Sequence, residues 1–253
     1  MSVADLFSFI RKNDVPLAAP EMLGLPKAIG KKAIDIDEIQ AELTKALLVA
    51  DEVTVQKLAF DLLINQTPIH QLFDSVLAPA MYEIGRRWDC NEADIYQERM
   101  GCEIIIRLLH QLRNLIPISN KNYVAIGGTL SGDRYAIPTA MVELILRNQG
   151  INATSMGTSI PGSSIVTAIE ELKPSLVWLS ASHIANREQF ERDFQLVSEC
   201  CDQNKVAFLI GGIVLDTQIR KKLNYSFFGD TMKHLDTFAT SLFTKPSSNE
   251  PTR

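Results

Sequence analysis

Apolar residues recur with a helical period from Asp37 to about Leu115 and then give way to short, dense apolar runs. In the first stretch Ile39, Leu43, Ala46 and Leu47 share one face, and Asp37 with Gln40 has the spacing of a capping box. Val55, Leu58, Ala59 and Leu62 repeat the pattern in a second helix. Thr67 followed by Pro68 reads as the N-cap and first position of a third, running to about Arg87. Cys102, Ile105, Ile106 and Leu109 mark a fourth, which ends before Pro117. None of these stripes can be buried by its own helix, so the pattern predicts a four-helix bundle.

After residue 120 the runs Tyr123–Gly128, Leu176–Ser180 and Val206–Gly212 are β-branch-rich and bounded by Gly, Pro, Asn or Ser, with a weaker candidate at Asn152–Met156. Helical patterns lie between them, as in Ala140, Met141, Leu144 and Ile145, or Phe190, Phe194, Val197 and Cys201. Strands apolar on both faces and alternating with helices predict a parallel sheet of βαβ units. The expected fold is α/β: an N-terminal four-helix bundle (35–118) followed by a Rossmann-like, flavodoxin-like parallel-sheet domain (120–244). A 1–34 extension precedes them, and a polar, flexible 245–253 tail follows. Ligands of such sheets sit over the carboxyl ends of the strands, which points to the loops Gly128–Pro138, Ser180–Arg187 and Gly211–Asp216.

Composition narrows the function classes. A net charge of −5 over 253 residues argues against binding a nucleic-acid backbone directly. The absence of a long apolar run or a signal-peptide pattern predicts a cytoplasmic protein with no membrane partner. Cys90, Cys102, Cys200 and Cys201 have no CxxC spacing, so neither a zinc site nor a disulfide framework is indicated. Gly127 to Gly132 is not a GxGxxG, and no triad or paired carboxylates stand out, so the chain reads as non-enzymatic.

Bundle followed by Rossmann-like domain resembles the cobalamin-binding modules of corrinoid proteins and of light-sensing transcriptional regulators. That family carries DxHxxG, then a serine, then a GG pair. Here the matching positions read Asp133-Arg-Tyr135-Ala-Ile-Pro138, then Ser180 in LSAS about 42 residues on, then Gly211-Gly212 in LIGG. Gly157 and Pro161 match a turn usual in these domains, and Trp88 and Glu98 stand where the photoreceptor type has a Trp, nine residues, then Glu-His. The resemblance covers roughly residues 35 to 243.

It implies a tetrapyrrole between bundle and sheet, with Trp88, Glu98 and Arg99 above and Asp133, Tyr135, Ser180, Gly211 and Gly212 below. Tyr135, however, replaces the histidine that in the family ligates cobalt once the nucleotide tail is displaced into the protein. Pro138 and Arg99 replace a further glycine and histidine. Base-off, His-on cobalamin binding is therefore not expected, which leaves cobalamin in another mode, haem or a bilin. Candidate metal ligands are Tyr135, since tyrosinate ligates some haems, His183 beside the Ser180 strand, and Cys90, whose thiol could also attach a bilin. His70, His110 and His234 read as ordinary helix residues. Each singled-out residue also has an ordinary reading: Trp88 as a bundle cap, Glu98 as a solvated carboxylate, Ser180 as a backbone partner, the glycines as a tight turn.

Residues 2–18 resemble the exit helix of MerR-like DNA-binding domains, without the preceding helix-turn-helix. The expected role is sensory, acting on transcription through a protein partner, as stand-alone antirepressors do. No specific DNA binding is expected, and an oligomer is open. The alternatives are a cofactor-free interaction module and a corrinoid carrier for methyl transfer. Whether Met1 is the true start is left open.

Overall fold

The computed structural model describes residues 35–116 and 120–243. The expected N-terminal extension and tail lie outside the described residues. Helix α1 (Ile36–Leu48) begins two residues earlier than the anticipated capping box at Asp37 implies. Asp35 is its cap, accepting from the amides of Asp37 and Glu38 at 3.0 and 3.2 Å, while Gln40 bonds Thr44 instead. Asp51 caps α2 (Glu52–Ile64), and its hydrogen bonds from the Thr54 hydroxyl and amide hold its carboxyl below the ordinary value.

The third helix starts at Ile69, with Pro68 as its non-helical cap, and its path is not straight. Helix α3 (Ile69–Leu72) passes through a π-helical turn, Phe73–Leu77, into α4 (Ala78–Asp89). Pro79 has no N–H to close a regular turn onto Ser75, and the widened turn precedes it. Helix α5 (Ile95–Leu115) starts seven residues before Cys102. Asp94 and Gln97 form the bundle's capping box, and the Gln97 amide also donates to the Leu48 carbonyl at 2.9 Å, tying α5 to α1.

The sheet contains β1 (Asn120–Gly128), β2 (Ile151–Ser155), β3 (Leu176–Ser180), β4 (Ala207–Gly211) and β5 (Phe227–Gly229), all parallel in the order β2-β1-β3-β4-β5. This is the flavodoxin-like winding. The weak candidate near Asn152 is the edge strand β2. The other edge strand, β5, has three residues and leaves no readable alternation. Crossovers are α6 (Ala136–Asn148), α7 (Gly162–Leu172), α8 (Arg187–Asn204) and the short α9 (Thr217–Arg220), and α10 (Met232–Phe243) closes the domain.

Successive strand residues point to opposite faces, so the sheet feeds two cores. Ala125, Trp178 and Leu209 join Met141, Leu144, Ile145, Leu235 and the bundle interior in one continuous core. Ile126, Val177, Leu179, Phe208 and Ile210 pack against Ile165, Ile169, Phe194 and Val197 in the second. The bundle sits on the sheet through α5 against α6, and α3 touches α10. Among the described residues no helix is long and apolar enough to cross a membrane.

Candidate functional site

Register places Ser180 beside Gly211 and Gly211 beside Gly229, so three strand ends form one row beneath the bundle. Above this row lies a cavity of about 610 Å³, a size ordinary for a small-molecule site. The bundle contributes Phe73, Asp74, Ala78, Met81, Glu98 and Cys102. The α/β domain contributes Tyr135, Pro138, the strand ends through Gly212 and Ile213, and Asp230 to Met232. The mouth is open at Tyr135 and Ile213, which are 48% and 79% exposed.

Five expected residues thus meet at one cavity: Glu98, Tyr135, Ser180, Gly211 and Gly212. Trp88 does not join them. It is 46% exposed and lines a separate shallow depression with residues of the α4–α5 turn. Arg99 is not part of the lining and meets Glu98 at 3.9 Å. Asp133 is 2% exposed and lies behind the lining. Its carboxylate accepts the amides of Tyr135 (3.0 Å), Ser182 (2.7 Å) and His183 (3.2 Å), so it binds the loop after β1 to the loop after β3. His183 is exposed and outside the lining. Cys90 is an exposed C-cap of α4, near Arg86. Among the described residues no group of three or more His, Cys, Asp or Glu side chains could hold a metal.

Gly212 allows the row to close. Its φ of +130° disfavours an L side chain, and a Cβ there would lie 2.0 Å from the Ala181 carbonyl oxygen. The Ala181 amide donates to the Gly211 carbonyl at 2.8 Å, locking β3's exit against β4's.

Cys102 and Asp74 are among the lining residues that the sequence pattern did not single out. Cys102 follows Glu98 at i+4, a spacing that would have found it. Burial, with Glu98 next, pushes its thiol up to about 11, so it is protonated at neutral pH. Asp74 lies on the π-helical turn and accepts the amides of Met232 and Lys233, both at 2.9 Å, capping α10 from across the domain seam. His70 meets Asp236 of α10 at 3.1 Å, and Arg113 of α5 bonds Glu143 of α6. Bundle and α/β domain are therefore joined by several polar ties.

The lining's polar character is one-sided. Asp74, Glu98 and Asp230 are carboxylates, and no Lys, Arg or His side chain lines the cavity among the described residues. Arg99 and Arg220 approach Glu98 and Asp230 only from outside, each at 3.9 Å.

A helical bundle set over the carboxyl ends of a flavodoxin-like sheet, with a cavity at the seam, defines the class. Residues 39–113, in the helical part of the chain, match the family model described as the B12 binding domain. Among curated relatives, the HTH-type transcriptional repressor CarH of Myxococcus xanthus is 25% identical over 124 residues, 49% of this chain and 41% of the repressor. The match thus takes in less than half of that relative's length. The dimethylamine corrinoid protein of Methanosarcina barkeri is 22% identical over 145 residues, 56% of this chain and 68% of the relative. The solved structure of the Methanosarcina barkeri monomethylamine corrinoid protein superposes with a TM-score of 0.69 at 16% identity, covering 83% of this chain and all of that one, which establishes the shared fold.

A corrin ring suits part of this site. Its apolar faces suit a largely apolar lining, and its rim of carboxamides brings N–H donors to the few carboxylates and hydroxyls there. Axial ligation by imidazole has no counterpart: no histidine lines the cavity, Tyr135 is a half-exposed phenol, and Cys102 is held as a neutral thiol.

Proposed function

We propose that this protein is a cytoplasmic, non-enzymatic corrinoid-binding regulatory module. A corrin ring sits between bundle and strand ends, and its presence is relayed to a protein partner, a transcriptional regulator being the expected class. The observation that carries the ligand choice is a largely apolar lining whose charged groups are all carboxylates. Haem and bilins bear propionates, which Asp74, Glu98 and Asp230 would repel, whereas the carboxamides of a corrin donate to them. Tyr135, Ser180, Gly211 and Gly212 would hold the ring from below, and Glu98, Cys102 and Asp74 would face it from the bundle. The bound group would supply a coordinating metal and visible absorbance. Because the ring would touch both layers, it would favour the closed arrangement over one in which Asp74 has released α10, the differential affinity a switch requires.

A corrinoid carrier for methyl transfer is the second reading. It draws support from the likeness to the dimethylamine corrinoid protein, which spans 68% of that relative against 41% of the repressor. Tyr135 in place of the histidine weighs against it.

The test is to incubate the protein in the dark with adenosylcobalamin, hydroxocobalamin, haem or biliverdin, pass each mixture through gel filtration, and record spectra of the protein peak. Cobalamin is expected to co-elute, and haem and biliverdin are not. Ala78→Trp, which fills the cavity from an exposed bundle position, should abolish retention, whereas Trp88→Ala should not. Colourless protein with both cobalamins would refute the reading and leave a cofactor-free interaction module. Methyl transfer from bound methylcobalamin to a thiol acceptor, faster than from the free compound, would favour the carrier.

A further inference from the structure

The site takes a ring more readily than the nucleotide arm that cobalamin carries. This inference rests on the corrinoid reading and concerns which part of the ligand the protein grips. An arm leaving the lower face of a ring seated on the Ser180–Gly211–Gly229 row could enter the α/β domain only between the sheet and a helix layer. On the α7–α8 side, Leu179 and Ile210 border the cavity at the strand ends, and beneath them Val177 and Phe208 are buried against Ile165, Phe194 and Val197.

On the α6–α10 side the cavity descends only as far as Met141, Leu209 and Leu235, each nearly fully buried. Beside Leu209 in register, and one pleat below Ser180 on that face of β3, is Trp178, fully buried and absent from the lining. Its indole N–H donates to the Thr139 hydroxyl of α6 at 2.9 Å, which fixes the ring between helix and sheet. Gly127 on β1 makes room for it: a Cβ there would lie 2.2 Å from the indole Cδ2. The slot is occupied by a side chain whose hydrogen bond and neighbour are both matched to it.

Charge points the same way. The arm carries an anionic phosphodiester, and such groups are bound by Arg, Lys or converging backbone amides. The lining offers three carboxylates and no cation among the described residues, and the amides at the start of α10 are already taken by Asp74. We infer that the nucleotide arm stays outside the α/β domain, leaving through the open mouth at Tyr135 and Ile213, and that the protein recognises the corrin ring alone.

The experiment is equilibrium dialysis of the intact protein against hydroxocobalamin and, separately, aquacobinamide, the same ring without the nucleotide. Cobinamide is expected to bind within about threefold of cobalamin or tighter. Cobalamin binding more than about thirtyfold tighter would overturn the inference while upholding the corrinoid reading, since only a gripped arm distinguishes the two. Failure of both to bind would overturn the corrinoid reading, and this inference with it. A second measurement guards the result: in Trp88→Phe, where Trp178 is the remaining tryptophan, fluorescence with bound cobalamin should keep the emission maximum of a buried indole. A red shift accompanying a cobalamin preference would mean that the arm displaces the plug.

Discussion

Asp74 provides a direct test of how the bundle is fastened to the α/β domain. Its carboxylate supplements the local N-cap of α10, Thr231, whose hydroxyl accepts from the His234 amide at 3.1 Å, by accepting the Met232 and Lys233 amides at 2.9 Å from a residue 158 positions earlier in the chain. Asp74→Ala removes both acceptors. Loss of an N-cap costs about 0.5–2 kcal/mol, and loss of a negative charge at a helix N-terminus roughly 0.3–1 kcal/mol. Lys233 is exposed, so water can recover part of the first cost. A net loss of about 1–2 kcal/mol follows. Asp74→Asn keeps an oxygen acceptor and should lose less than half of that. Urea unfolding followed by circular dichroism gives the total, and hydrogen exchange locates it. The Met232 and Lys233 amides should exchange about tenfold faster in Asp74→Ala, the equivalent of roughly 1.4 kcal/mol. If stability changed by less than about 0.3 kcal/mol and these amides were unaffected, the cross-domain cap would be a contact without energetic weight, too small to register beside an ordinary cap.

Two further outcomes follow from the strand ends and the cavity thiol. Gly212→Ala should destabilise the protein by at least about 2 kcal/mol, since strain at positive φ adds to a backbone overlap. Gly157→Ala, at φ +92° with nothing within 4 Å of a Cβ, should cost only about 1 kcal/mol; equal losses in thermal or urea unfolding would show that overlap with Ala181 is not what demands glycine. With its thiol pKa raised to about 11, Cys102 should react with iodoacetamide at pH 8 on the order of 100-fold more slowly than an ordinary thiol. The rate should climb about tenfold per pH unit toward pH 10, because the thiolate forms only as pH approaches the raised value. Peptide mass spectrometry separates it from exposed Cys90, and modification of Cys102 as fast as Cys90 at pH 8 would contradict the buried setting.

The parts of the fold legible in the sequence are those in which burial imposes a period. The bundle stripes Leu43, Leu47, Leu58 and Leu62 are fully or nearly fully buried, and the apolar runs after residue 120 are the central strands. Helix starts were less legible, because Asp35 and Asp94 cap through side-chain geometry that competing Asp and Gln residues mimic in the sequence. Strand β5 is too short for alternation to exist at all.

For the site, spacing located positions better than roles. Ser180, Gly211 and Gly212 reach the cavity because strand ends in parallel register must align, a consequence of topology that linear spacing preserves. Asp133 was found by the same spacing, yet it serves to join two loops, since its neighbours' amides rather than the cavity receive its carboxylate. Trp88 depended on which way a helix end faces, which no hydrophobic period records, any more than it records the π-helical turn before Pro79. The same turn brings Phe73 and Asp74 to the cavity, where Asp74 both lines the site and caps α10. One backbone irregularity thus couples the site's wall to the fastening between domains, so a ligand pressing on Asp74 acts on the fastening itself, without any longer chain of contacts.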